Sequence, residues 1–386
     1  MSPKLLLSVE GWSATTVGIL GSGNHWTPTV DGLGIRGTVA NRFIRSADRN
    51  GLSMPMWYDA DTLECLRRDG PVVVITDEPV LEHRAADLDE MRLLSDPVDG
   101  DGSDDPMVAR LFAEAFERLS ADQEPSLVWL HVRRLLDRWD SVSGSPTVDD
   151  VGEADDFEDL DRDHDVDDRE PHIDDAMLGE EPDQGLQMEA SIEVPHFDLA
   201  AALEDDPDGR FRWLQRYGAQ VQSIDRGLAD LMATGVLSPR QVALFGTSGF
   251  QIGAGGFFGH RGPLVRTSDL HVPLVFGDTA DSWRMKRIEG PIGDAKFLSL
   301  IRSWIASGPL DPASIAVDEA AFVVTDSDRA RTVRTTTRWF YVEDPGGAER
   351  LYLKPDDIHD VNDVASLRDD VLGEMRETPD PDAAKG

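Results

Sequence analysis

The 386-residue chain holds a single cysteine, Cys65. One thiol excludes an intrachain disulfide framework and leaves no cysteine pair for a structural zinc. Cys65 lies in DTLECLRRDG (61–70), a helix-like pattern in which a buried structural thiol is expected rather than a nucleophile. Basic residues are also scarce, with 37 Lys and Arg against 74 Asp and Glu and a formal net charge of −37. Such a chain repels phosphate backbones and anionic bilayers, so neither nucleic acid nor membrane is expected as a partner. Long apolar runs are missing too. The opening MSPKLLLSVEGW has only a brief run before Glu10, too short for a secretory core or a membrane span. It reads as a first buried strand, and a cytoplasmic protein is expected. Several signatures of chemistry are absent as well. GILGSGNHW (18–26) and GTSGFQIGAGG (246–256) are glycine-rich, yet neither contains GxxxxGK[ST] or a GxGxxG that opens a helix, so no nucleotide site is expected. The nine histidines are scattered without HExxH, which argues against zinc, and GTSGF lacks the second glycine of a GxSxG elbow.

What is present is an alternation. KLLLSV, PVVVIT, LVWLHV, QVALF and VPLVF are short apolar runs of the kind that form buried strands. Helical patterns separate them. In residues 211–234, Phe211, Leu214, Tyr217, Val221, Ile224, Leu228 and Leu231 recur every three or four positions, which places them on one face. DPMVARLFAEAFERL (105–119) is a second such pattern. Alternating strands and helices predict an α/β fold with a mainly parallel sheet, and a chain of this length can bury a large core. Ligand sites in such sheets lie beyond the carboxyl ends of the strands. Near the C-terminus, RTVRTTTRWFYVE and ERLYLKPDD flank the turn signal DPGGA and predict a small antiparallel hairpin.

Residues 148–184 break the alternation. They carry eighteen acidic residues against Arg162 and Arg169. With so few apolar side chains this segment is expected to stay disordered. The same strand and helix signals lie on both sides, so it is an insertion and not a boundary. The expected organisation is one domain over residues 1–375 with this insertion inside it, then a loose tail over 376–386. Within the insertion, DLDRDHDVDDRE (159–170) has acids at positions 1, 3, 5, 7, 9 and 12 of a calcium-type loop. His164 stands where the sharp turn needs glycine, so a solvated acidic run is expected there instead.

Taken in order, seven segments resemble one family. They are PKLLLSVEGWSATTVGILGSGN, TPTVDGLGIRG, DTLECLRRDGPVVVITDEP, SLVWLHV, YGAQVQSIDRGLADLMATGVL, QVALFGTSGFQIGAGGFFGHRGP with LHVPLVF, and LYLKPDDIHDVND. The chain resembles the sulfatase branch of the alkaline-phosphatase superfamily over about residues 3–360, apart from the acidic insertion. TPTVDGLGIRG (27–37) is the most specific match, and the long-helix segment carries the internal Asp225.

The resemblance implies an alkaline-phosphatase-like mixed sheet flanked by helices, with a small C-terminal antiparallel element. It also implies a divalent metal, typically calcium, held by hard oxygen ligands beside a formylglycine made from a C/S-x-P-x-R motif. This sequence departs from that pattern. The family's acid pair after the first strand is reduced to Glu10 followed by Gly11, and no C-x-P-x-R or S-x-P-x-R occurs in RSADRNGLSMPMW, where Asn50 lies near the nucleophile position. The Lys-x-His after PVVVIT becomes Glu78 and Val80, and the Asp-His pair of the metal loop becomes Thr247 and Ser248. His131, His260 and Arg261 remain, Arg261 where the family has lysine. The expectation is a sulfatase-like fold without catalysis, binding an anionic small molecule or a protein partner. No cofactor is expected unless the chain is active, in which case Glu10 would hold calcium or another divalent metal. In that alternative, Thr247 or Ser248 would supply the nucleophile of a rebuilt sulfuric or phosphoric ester hydrolase. Two readings stay open at each ligand position. His131 is a core histidine or a ligand, His260 and Arg261 grip an anion or form a structural pair near Asp269, and Glu10 is functional or caps backbone amides.

Overall fold

The computed structural model describes residues 3–45, 66–67, 70–82, 88–96, 106–121, 125–136, 138–139, 192–193, 207–253, 257–259, 264–278, 285–315, 320–323, 330 and 332–377. Cys65, Asn50, the insertion 148–184, His260, Arg261 and residues 378–386 of the expected tail lie outside the described residues.

The apolar runs become the strands of one nine-stranded sheet. Its centre is β1 (Lys4–Val9), flanked in parallel by β5 (Leu127–Val132) and β8 (Val242–Gly246). Beyond β5 come β3 (Val72–Thr76) and β4 (Glu90–Leu93), also parallel. Beyond β8, β12 (Leu274–Phe276) pairs antiparallel with both β8 and β2 (Thr38–Ile44). β2 in turn pairs with β11 (His271–Val272) antiparallel and β13 (Lys286–Ile292) in parallel. The sheet is therefore mixed and mainly parallel, as its near-continuous apolar strands require when both faces are covered.

Alternation along the strands splits the core. Leu5, Leu7, Val9, Val128, Leu130 and Leu244 face one side, under α1 (Pro28–Arg36), α2 (Met107–Leu119) and α3 (Pro207–Ala233). Leu6, Val74, Trp129 and Phe245 face the other, against α5 (Asp294–Ser307) through Phe297, Ile301 and Trp304. The short α4 (Thr267–Leu270) precedes β11. The predicted stripe of α3 holds from Tyr217 to Leu231, but Phe211 is 58% exposed, because the helix starts before the core that takes in Trp213, Leu214 and the residues after them. Asp225 on α3 caps α1, accepting from the Thr29 and Val30 amides at 3.0 and 2.9 Å.

The C-terminal element is larger than a hairpin. RTVRTTTRWFYVE turns at Thr337-Arg338 and forms two strands, β15 (Thr332–Thr336) and β16 (Trp339–Glu343). With β14 (Ala320–Val323) and β17 (Glu349–Leu353) they make a four-stranded antiparallel sheet. The helix α6 (Asp369–Glu377) packs Val371, Leu372 and Met375 against Tyr341 and Leu351, so the first two residues of the expected tail are helical. Two smaller two-stranded pairs complete the architecture, β6 (Arg138–Trp139) with β7 (Ile192–Glu193) and β9 (Gln251–Ile252) with β10 (Phe258–Gly259).

Candidate functional site

Strand register dictates which residues meet beyond the carboxyl ends. Val9 lies opposite Val132 on β5 and Gly246 on β8, and Thr76 on β3 lies opposite His131. Continuing each register by one or two residues sets Thr247, Glu10, Arg133 and Glu78 in a single row across β8, β1, β5 and β3. All four fall on the α5 side of the sheet by the alternation of their strands.

The side chains bear this out. Glu10 and Glu78 are both buried. Arg133 Nε lies 3.0 Å from Glu78 Oε2 and 3.9 Å from Glu10 Oε2. His131 Nε2 stands 3.6 Å from Glu10 Oε1. That separation is electrostatic contact, not a hydrogen bond. Glu78 Oε1 accepts from the Val80 amide at 2.8 Å, while Oε2 of Glu78 and Oε2 of Glu10, the two oxygens on the arginine side, have no hydrogen-bond partner among the described residues. Asp77 holds the arginine's backbone, accepting from the Arg133 amide at 2.8 Å.

Burial sets the protonation of the acids. The Glu78 carboxyl is raised above the ordinary glutamate range, chiefly by burial and further by the charge of Glu10, against the pull of the Val80 amide, Arg133 and His131. The Asp77 carboxyl, enclosed although part of the residue reaches the surface, is pushed up to about 6 by burial, against the Arg133 amide and the nearby His131 and Arg134.

His131 is fully buried at the end of β5, as a core histidine would be. Its Nδ1 lies 2.7 Å from Ser8 Oγ, and Trp129 Nε1 donates to the same oxygen at 2.8 Å. Ser8 accepts from the indole and has one proton to give. A proton given to Nδ1 leaves the ring's own on Nε2, toward Glu10, whereas a proton received from Nδ1 leaves Nε2 bare, and the 2.7 Å contact accommodates both. The order Ser8, His131, Glu10 has the outline of a nucleophile, base and acid. Ser8 is wholly buried beneath Trp129, so no substrate reaches its hydroxyl.

Thr247 and Ser248 follow β8 and reach the end of β1. The buried Thr247 hydroxyl donates to the Val9 carbonyl at 3.4 Å, and Ser248 Oγ accepts from the Gly11 amide at 3.0 Å. The glycines around them serve close packing. Gly11 has φ +74°, which makes the turn after Glu10, and a Cβ there would stand 2.6 Å from Leu136 Cδ2. A Cβ at Gly249 would stand 1.9 Å from the Ser268 carbonyl oxygen. The loop amides face inward: Gly246, Thr247, Gly249 and Gly253 donate to Pro273, Val9, Asp269 and Phe257 carbonyls. Over its described residues the segment is a packed turn and not a phosphate cradle. Asp269 accepts from Gln251 Nε2 and the Arg266 amide.

Solved structures with this arrangement of elements include sulfatases and a phosphonate monoester hydrolase. A candidate sulfatase of Bacteroides thetaiotaomicron VPI-5482 superposes with a TM-score of 0.64 at 10% identity, over 97% of this chain and 91% of that one. A 2-O GAG sulfatase gives 0.63 at 10% identity, over 97% and 90%. The phosphonate monoester hydrolase of Agrobacterium radiobacter gives 0.61 at 14% identity, over 98% and 94%. The chain has a sulfatase-like fold. No family model and no curated protein matches the sequence.

A sulfatase-like fold implies a divalent cation beside the first strand, and the residues here do not suit one. A calcium ion takes six to eight oxygens, several of them anionic. Two buried carboxylates are present, one more than the sequence suggests, but a guanidinium already lies between them. Both candidate hydroxyls are engaged with backbone groups. Among the described residues no cluster of three or more His, Cys, Asp or Glu has a metal-holding arrangement.

The register also brings in residues that sequence reasoning passed over. Arg133 sits in HVRRLLDRW, where an arginine pair after a strand looks solvated. Glu78 looks only like a lost lysine. The readable signal was positional, since 10, 78 and 133 each follow an apolar strand by one or two residues.

Proposed function

We propose that this chain is a noncatalytic sulfatase-like protein that acts by binding an anionic small molecule or a protein partner in the cytoplasm. One observation carries the reading. The hydroxyls that stand where a sulfatase has metal-binding side chains, Thr247 and Ser248, are turned to the backbone of β1 and its following turn. A hydroxyl acts as a nucleophile only when an adjacent base can take its proton and the substrate can reach it. Thr247 is wholly buried and its hydroxyl donates to the Val9 carbonyl, so the condition of substrate access is not met there. His260 and Arg261 are the proposed anion-gripping pair, since an arginine fork binds sulfate or phosphate in bidentate fashion.

The alternative is an active ester hydrolase with a rebuilt site. It draws on the proximity of Ser248, only half-buried, to Gly11 and thus to Glu10. A panel of aryl sulfates and of phosphate mono- and diesters, each with calcium, magnesium, manganese and zinc, separates the two. The expected result is no turnover above buffer. Turnover that disappears in Glu10→Ala establishes the hydrolase instead.

A further inference from the structure

We infer that the Arg133 guanidinium is a tethered cation occupying the place of a divalent metal between Glu10 and Glu78, and that it keeps a latent cation seat closed. The noncatalytic reading contributes only the location of the seat.

The argument is one of charge balance at a fixed position. Glu10 and Glu78 bury their side chains to 2% and 1% exposure. Buried carboxylates persist only when a cation or proton compensates them. Arg133 Nε meets the Oε2 atoms of both, at 3.0 and 3.9 Å. Among the described residues those two oxygens lack hydrogen-bond donors, whereas Glu78 Oε1 has the Val80 amide. In each carboxylate the oxygen in contact with Arg133 Nε is thus the one left for a cation to compensate. The arrangement is built into the backbone. Parallel pairing of β1, β5 and β3 sets residues 10, 133 and 78 level, the Glu10 amide donates to the Val132 carbonyl at 2.9 Å, and Asp77 fixes the Arg133 amide. A guanidinium on a strand end thus supplies the positive charge that a hard metal would bring, without requiring six or more oxygens. Without it, two buried carboxylates at the ends of adjacent strands form the anionic start of a calcium or manganese site, with water completing the coordination.

The test removes the plug. Calorimetry and thermal unfolding in calcium, manganese or EDTA are compared for the wild type, Arg133→Met and Arg133→Met with Glu10→Gln. The wild type is expected to be indifferent to all three conditions. Arg133→Met should melt lower in EDTA, recover several degrees with calcium or manganese, and bind one ion at least ~10-fold more tightly than wild type. Adding Glu10→Gln should abolish the gain. A wild type that binds one ion through Glu10, or a folded Arg133→Met that binds none, overturns the inference. If Arg133→Met does not fold, the triple variant with Glu10→Gln and Glu78→Gln decides. It should fold, because the charges are removed together, and its failure to fold overturns the charge-balance argument. Turnover in the substrate panel would refute the noncatalytic reading without touching these outcomes.

Discussion

Two buried charge clusters in this molecule are satisfied to different degrees. At the junction between the C-terminal sheet and the main body, Asp360 (φ +56°) and Lys354 are both buried and form an ion pair. Both carboxylate oxygens of Asp360 are hydrogen-bonded, one to Lys354 Nζ and the Thr267 hydroxyl and the other to the Thr267 amide, and Arg266 donates to its carbonyl at 2.8 Å. The pair locks α4 to the segment after β17. At the carboxyl ends of β1, β5 and β3, Glu10 and Glu78 share one guanidinium and, among the described residues, leave an oxygen each without a hydrogen-bond donor. Buried polar groups in a purely structural role are almost always paired. The junction ties α4 to the segment after β17, and the row beyond the strands holds the proposed cation seat.

Breaking the better-satisfied cluster should have the larger effect. Asp360→Ala strands the buried Lys354 ammonium and uncaps Thr267, with an expected loss of about 3–5 kcal/mol in chemical denaturation. Asp360→Asn, which keeps acceptor capacity, should lose less. Arg133→Met leaves two buried carboxylates uncompensated, but Arg133 is 29% exposed and water relieves part of the penalty, so about 1–3 kcal/mol is expected at pH 8. An Arg133→Met loss equal to that of Asp360→Ala would erase the distinction between the clusters.

A pH series sharpens it. Folded Asp77 binds its proton more tightly than the unfolded chain does, at about 6 against 3.8. Its contribution is therefore most favourable below about 4 and is lost as pH rises through about 6. Asp77→Asn, which can still accept from the Arg133 amide, should flatten the stability profile across that window and gain on the order of 1–2 kcal/mol over wild type at pH 7. Glu78, also raised, adds a slope of the same sign that Asp77→Asn retains. An unchanged profile in Asp77→Asn would show that Asp77 does not titrate in that range. Salt gives the smallest effect. Screening the net charge of −37 should raise the melting temperature by a few degrees between low and about 1 M sodium chloride. The Arg133→Met loss should shrink in salt and the Asp360→Ala loss should not, because only the first cluster reaches solvent.

Much of the fold was legible because apolar periodicity encodes it. The five apolar runs are strands, the spacing of Met107, Leu111, Ala115 and Leu119 is a helix face, and Asp225 has a definite task in capping α1. Hidden were features that depend on strand order. Nothing in HVRR or TDEP says that Arg133 and Glu78 meet, because that follows from β5 lying between β1 and β3. For the same reason Glu10 was legible as an unusual acid, while the charge beside it was not. The split of RTVRTTTRWFYVE escaped because a Thr-Arg turn lacks the Gly, Pro or Asn that usually marks one. The nucleophile position, His260 and Arg261 were read from resemblance, and they remain proposals.

The central claim is that the seat beside Glu10 holds an arginine where the fold implies a metal. The most direct measurement is elemental analysis of the wild-type chain after dialysis against calcium, paired with its melting temperature in calcium and in EDTA. The account predicts far less than one ion per chain and identical melting curves. One tightly held calcium per chain, lost together with stability in EDTA and absent from Glu10→Gln, would contradict it.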